Sequence, residues 1–387
     1  MLSLLLPLIY LAFISLGLPD SLLGSAWPSM YPAFGVPVSY AGILSIIICC
    51  GTIVSSLLSD RLTRRFGAGG VTAFSVALTA AALLGFSISR SFAVLCLWAV
   101  PYGLGAGSVD AALNNYVALH YASRHMSWLH CMWGVGTTIG PMVMSAALTR
   151  GAGWNTGYRV IGLFQVVLAA VLLLSLPLWK GQKGPAGQEE KASARPLTLA
   201  QILRLPGARE VMLCFFCYCA LESTAGLWAS SYLTLVRGVD AQTAAGFASL
   251  FYIGITAGRG VSGFLTLKLN DTRMIRLGQA VLAVGVAALL LPGSRSLALA
   301  GFVLTGVGCA PIYPSIIHST PARFGAQRSQ ALIGVQMASA YVGSMLMPPL
   351  YGLAAQHLSP ALLPVYLLAL LALMVLMHER LVRVVSA

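Results

Sequence analysis

Apolar runs of about 20 residues recur along nearly the whole chain, and each is long enough to cross roughly 30 Å of hydrocarbon as a helix. Twelve are expected, at 4–31, 39–59, 69–88, 91–119, 128–149, 159–179, 210–236, 241–266, 275–292, 297–318, 328–352 and 361–378. With 58% hydrophobic and 9% charged residues and a mean hydropathy of +0.84, the chain is unlike any soluble domain of its length. Twelve helices and short loops nearly use up its 387 residues, which leaves no room for a soluble catalytic domain.

The net charge of +13 would suit nucleic acid, but its placement is a topology signal. Taken alternately, one set of loops carries 17 Lys and Arg, including Arg61, Arg64, Arg65, Arg124, Arg276 and Arg380. The other set carries five: Arg90, Arg150, Arg159, Arg237 and Arg295. The positive-inside rule then predicts that both termini and the long central loop are cytoplasmic. Binding of anionic lipid is a weaker second reading of the same charge. Most of the eight cysteines fall inside the runs, where Cys packs as a small apolar residue. Cys214, Cys217 and Cys219 lack the further ligand that would complete a metal site. Asn270-Asp271-Thr272 fits the glycosylation pattern but falls on the cytoplasmic side. The N-terminus lacks a basic leader, so the first run is expected to stay as a helix.

Landmarks repeat along the chain. Gly103-Leu-Gly105 returns as Gly306-Val-Gly308, Gly51 as Gly254 and Gly140 as Gly343, each 203 residues on. Asp20-Ser21 and Gly24 return as Glu222-Ser223 and Gly226, 202 residues on. The spacing predicts a duplicated all-α membrane protein: two pseudo-symmetric six-helix bundles at 1–179 and 210–387, joined by a cytoplasmic linker at 180–209. A solute site between such repeats is a known transporter arrangement. After the second run, Ser56-Leu-Leu-Ser-Asp60-Arg61-Leu-Thr63-Arg64-Arg65 resembles the major facilitator superfamily signature Gly-x-x-x-Asp-Arg-x-Gly-Arg-Arg, with Ser56 and Thr63 in the glycine positions. The resemblance implies a gate in which Asp60 pairs with a cation or caps a helix N-terminus, with Arg61, Arg64 and Arg65 beside it. Arg259 lies 203 residues after Ser56, as part of a mirror gate or as a side chain snorkelling to the cytoplasmic surface.

Charges inside the runs carry the functional reading. A bare carboxylate in a bilayer costs several kcal/mol or takes up a proton. Asp20, Asp110 and Glu222 are the three. Asp110 and Asn114 share a helix face, four residues apart, behind small residues that permit close helix approach. Asp110-Ala-Ala-Leu-Asn114-Asn115-Tyr116-Val117 resembles the Glu-x-x-x-Asn-Pro-Tyr-Val segment of the fucose permease branch, a group of sugar–proton symporters. Leu129-His130-x-x-Trp133-Gly-x-Gly136-x-x-x-Gly140-Pro141 and Glu222-x-x-x-Gly226-x-Trp228-x-x-x-Tyr232 are similar to patterns of the same branch. The resemblance implies proton carriage by Asp20 and Asp110, with Glu222 as a third titrating group or a sugar acceptor. Asn114, Asn115, His130 and Gln336 are then candidate hydrogen-bonding groups. Trp27, Trp133, Trp228, Tyr252 and Tyr313 are candidate stacking platforms for a pyranose, with helix packing the alternative for each. His318 and His357, near run ends, are expected to be solvated.

No Walker loop, His-Glu-x-x-His or Gly-x-Ser-x-Gly motif occurs, so neither ATP-driven transport nor common hydrolase chemistry is indicated. The expectation is a non-enzymatic secondary carrier in a bacterial plasma membrane, sufficient as a monomer. It imports a sugar or polyol with the proton as coupling ion and no bound cofactor. Sodium coupling stays open, since it needs several oxygens around a carboxylate. Two rivals remain. One is a proton-coupled exporter of amphipathic compounds, suggested by Gly140-Pro141. The other is a receptor or intramembrane enzyme, for which no known arrangement matches.

Overall fold

A computed structural model describes residues 2–37, 40–179, 197–239, 241–291 and 295–386, with side chains described except at 2, 3, 28, 241–250 and 386. Most of the expected linker, 180–196, lies outside the described residues, and with it Lys180, Lys183, Lys191 and Arg195. The described residues form helices joined by short connections, with no strand among them. The first half contains α1 (Leu2–Asp20), α2 (Leu22–Phe34), α3 (Ala41–Ile88), α4 (Phe92–His120), α5 (Ser123–Thr149), α6 (Gly153–Leu174) and the short α7 (Leu176–Trp179). The second contains the short α8 (Leu199–Ile202), α9 (Ala208–Arg237), α10 (Ala241–Leu265), α11 (Asp271–Leu290), α12 (Arg295–Cys309), α13 (Ile312–Phe324), α14 (Ala326–His357) and α15 (Leu363–Ser386).

Ten described helical stretches have the length and apolar content to cross a membrane. The 48-residue α3 is one of them and holds two expected runs, 39–59 and 69–88. Gly67, at φ +71°, is its one non-helical residue, and a side chain there would strain the backbone. The first expected run is broken at Ser21, one residue after α1 ends on Asp20. The tenth is broken between Cys309 and Ile312, where Pro311 precedes α13. The fifth and sixth begin earlier than expected, at Ser123 and Gly153. In both cases polar residues at the helix start hide the first turn from a hydropathy reading.

Contacts divide the chain into two units. One comprises the described residues of Met1–His120, Met132–Pro196 and Gln327–Ala338. The other comprises those of Tyr121–Cys131, Leu197–Ala326 and Ser339–Ala387. Thus α5 gives its first turns to the second unit, and α14 gives its first turns to the first.

Within each unit the same glycines set the helix spacing. In the first, Gly51 backs onto Gly103, a side chain on Gly103 would strike the Ile48 carbonyl, and one on Gly105 would strike the Ser75 carbonyl. In the second, Gly254 backs onto Gly306, Gly306 faces the Phe251 carbonyl, and Gly308 faces the Gly278 carbonyl. Every partner in the second set stands 203 residues after its partner in the first. Backbones this close leave no room for a Cβ, which is the small-residue packing of membrane helices.

Prolines leave carbonyls to be satisfied, because a proline has no N–H for the carbonyl four residues before it. Pro19 orphans the Ser15 carbonyl, and the buried Gln165 of α6 donates to it from Nε2 at 2.7 Å. Pro141 of α5 orphans the Thr137 carbonyl, and Ser21 donates to it from Oγ at 2.8 Å. Unpaired carbonyls are costly in hydrocarbon, so these side chains make the broken α1–α2 segment tolerable.

Candidate functional site

In the first unit the break after α1 presents Asp20. Its side chain is exposed although it stands in an apolar run. Trp133 of α5 donates to Oδ2 from Nε1 at 2.8 Å, and Tyr102 of α4 donates to Oδ1 at 3.2 Å. Three helices therefore orient one carboxylate. They meet closely because Gly17 lies against the Trp133 carbonyl, and Gly136 and Gly140 lie against the Ile14 and Leu18 carbonyls. Sequence reading found Asp20 and Trp133 but missed Tyr102, whose only signal was a tyrosine in the small-residue fourth run.

Asp110 of α4 is buried, and Asn114 donates to its Oδ1 at 2.7 Å and to its backbone carbonyl at 2.9 Å. The shared face expected from their spacing is present. Asn115, also buried, accepts from Ser329 Oγ at 2.6 Å. Gln336 is fully buried in the same unit.

The expected gate residues divide. Arg64 grips Asp60 from Nε, at 3.0 and 3.1 Å from the two carboxylate oxygens. Its Nη2 reaches the Gln327 carbonyl at 3.4 Å. Gln330 donates to Ser59 at 3.3 Å, and Gly334 leaves room for the Ser56 carbonyl. The first turns of α14 are thus bound to the signature segment of α3 within one unit. Arg61 and Arg65 are exposed, with Arg65 lying over Phe66 at 5.3 Å.

In the second unit Arg259 does not snorkel. It is 2% exposed, and its guanidinium lies 3.6 Å from Glu222 and 5.9 Å from the Tyr313 ring centre. Tyr218 also donates to Glu222. The Tyr313 ring meets His130 edge-on at 4.3 Å and Phe215 at 4.7 Å. Glu222, Arg259, His130 and Tyr313 therefore form one cluster. Tyr218 was missed, although it stands one helical turn before Glu222.

Three aromatic candidates serve other contacts. Trp27 is buried in the core against Phe92. Trp228 donates to the Pro348 carbonyl at 3.0 Å and packs edge-on against Tyr351. Tyr252 is half exposed, with its hydroxyl against Gly226. His318 corrects the sequence expectation. It is largely enclosed, with Nδ1 2.7 Å from Asp271 and Nε2 3.3 Å from the Tyr121 carbonyl. Hydropathy placed it at a run end, but three chain segments converge there. His357 is exposed.

Among the described residues, membrane-length helices with oriented carboxylates inside them define a multi-pass membrane protein. The chain belongs to the major facilitator superfamily, whose model matches residues 9–297 and 211–384. It is 23% identical over 276 residues to "Bypass of stop codon protein 6" of Saccharomyces cerevisiae, covering 66% of this chain and 55% of that protein's length. It is 20% identical over 310 residues to the glucose/mannose transporter GlcP of Bacillus subtilis, covering 79% of this chain and 77% of GlcP. Among solved structures it resembles the E. coli fucose:proton symporter FucP in fold, with a TM-score of 0.75 at 16% identity, covering 97% of each chain.

Proposed function

We infer that this superfamily carrier is a proton-coupled symporter of a sugar or similar small polar solute, with Asp20 as the main proton carrier. The observation that carries the reading is the exposed carboxylate in the break after α1, held by Trp133 and Tyr102. Such a group exchanges a proton with water, and its two donors keep it in place while it does so. The buried Asp110–Asn114 pair and the Glu222–Arg259 cluster supply further directed polar groups, as a hydroxyl-rich solute requires. The sugar and sugar–proton functions named for GlcP and FucP agree with this reading.

The carrier crosses the plasma membrane of a bacterium twelve times, with α3 making two crossings and both termini in the cytoplasm. A monomer suffices. Asp60 and Arg64 hold the start of α14 during part of the cycle. The Gly140-Pro141 pair that suggested an exporter is accounted for by packing: Gly140 admits the Leu18 carbonyl, and Ser21 repairs the carbonyl that Pro141 orphans.

The test is internal pH in proteoliposomes while hexoses, deoxyhexoses and polyols are added outside. Acidification by one of them in the wild type, lost in Asp20→Asn, is the expected result. No pH change with any member of the panel, in correctly folded and oriented protein, would rule the reading out.

A further inference from the structure

We propose that Asp271 and His318 form a proton-binding site that ties the connection between α4 and α5 to α11 and α13. The site uses none of the residues assigned to transport above, and no solute enters its test.

The two contacts of the His318 ring fix how many hydrogens the pair must hold. His318 Nδ1 faces Asp271 Oδ2 at 2.7 Å, and its Nε2 faces the Tyr121 carbonyl at 3.3 Å. A carbonyl offers no hydrogen, and neither does an ionised carboxylate. Neutral imidazole has a single N–H and satisfies only one of the two. Both contacts are made when the pair holds one proton beyond neutral imidazole plus carboxylate. That is so whether the ring is imidazolium or the extra hydrogen sits on Asp271. The other carboxylate oxygen, Oδ1, already accepts from Ser123 Oγ at 2.6 Å.

The setting fixes the pair. Asp271 is the first residue of α11, and Asn270 caps that helix by accepting from the Arg273 N–H at 2.9 Å. Arg323, one α13 turn beyond His318, donates to Thr272 at 3.2 Å and lies within electrostatic reach of Asp271, Cys214 of α9 and His378 of α15. On α5, Arg124 is bonded to its neighbour His125 at 3.2 Å. Arg209 of α9 is turned to the Leu203 carbonyl at 2.9 Å, and the only charged residue of α12 is Arg295 at its far end. Among the described residues, Asp271 is thus the one acid in contact with His318.

Linkage gives the sign. The contact needs the bound proton, so it is complete when the pair is protonated and weakens as pH rises through the histidine titration. Conversely, pulling Tyr121 away from α13 removes the acceptor that the second ring hydrogen needs and favours release of the proton, while loss of the Ser123 hydroxyl from Asp271 acts the other way. A step that parts Tyr121 from His318 while Ser123 stays on Asp271 therefore weakens proton binding at this site.

The experiment uses the full chain in lipid nanodiscs from about pH 5.5 to about pH 8.5, spanning the ordinary histidine range. Hydrogen exchange of residues 120–126, corrected for intrinsic rates, is followed beside the ring nitrogens of labelled histidine. In the wild type, exchange of this segment is expected to rise about tenfold across the titration of the pair. His318→Gln and Asp271→Asn are each expected to remove that dependence. Should one variant fail to fold, the other and the wild-type titration still decide. A wild-type segment whose exchange ignores pH overturns the proposal. So does a pH dependence that survives in either variant, while the ring nitrogens tell whether the proton sits on His318 or on Asp271.

Discussion

Gln165 and Pro19 form a pair that can be separated by substitution. The proline removes an N–H, and an amide from a helix 146 positions away in the chain replaces it at the Ser15 carbonyl. Gln165→Leu should therefore cost about 1–3 kcal/mol, the penalty for leaving a buried acceptor unmet. In Pro19→Ala the backbone N–H returns, so the same Gln165→Leu change should cost distinctly less. Thermal unfolding of the four proteins in detergent measures the coupling, and equal costs in both backgrounds would refute it. None of this was legible beforehand, because a glutamine in an apolar run shows that it needs a partner and not which one. Asp20 was legible for the opposite reason, since a charge in hydrocarbon is conspicuous at any position. Its partners Tyr102 and Trp133 come from helices that only folding brings to it. His318 was misread because hydropathy sees a run end and not the segments that close over it.

Helix packing sets the tolerance of each glycine. At Gly103 an added methyl meets the Ile48 carbonyl, and α3 and α4 must separate to admit it. Gly103→Ala is expected to destabilise by about 1–3 kcal/mol, as overpacked sites do. Gly306→Ala should behave alike against the Phe251 carbonyl. Gly24 has nothing within 4 Å of such a methyl, so Gly24→Ala should be neutral or raise stability by about 0.5–1 kcal/mol through helix propensity. Midpoints of thermal unfolding for the three variants check the ranking. The helices themselves were legible because runs of this length and composition have one stable form in lipid. Their breaks were not. Ser21 and Pro311 lie inside stretches whose hydropathy, averaged over the length of a span, stays apolar.

Across the whole molecule the division into units departs from the division of the sequence, since α5 and α14 each serve both units. A linker is visible in composition, whereas a helix whose ends pack with different partners leaves no compositional trace. The first turns of α14 are held by Arg64, Ser59 and Asn115. If that attachment must be made and broken in each cycle, Asp60→Asn frees Arg64 and should slow solute turnover at least tenfold while solute binding at equilibrium is unchanged. Turnover in proteoliposomes beside binding to the purified protein separates the two, and a parallel loss of both would refute a gating role.

The glycine contacts repeated at 203 residues also bear on how such a chain accepts change. Each half forbids side chains at positions equivalent to the other's. A survey of every single substitution, scored by survival and compared with itself at a lag of 203, should correlate strongly at the close helix crossings and weakly at the charged clusters. Where helices within each half meet backbone against backbone the two halves share one pattern of tolerance, and where they hold different side chains they do not.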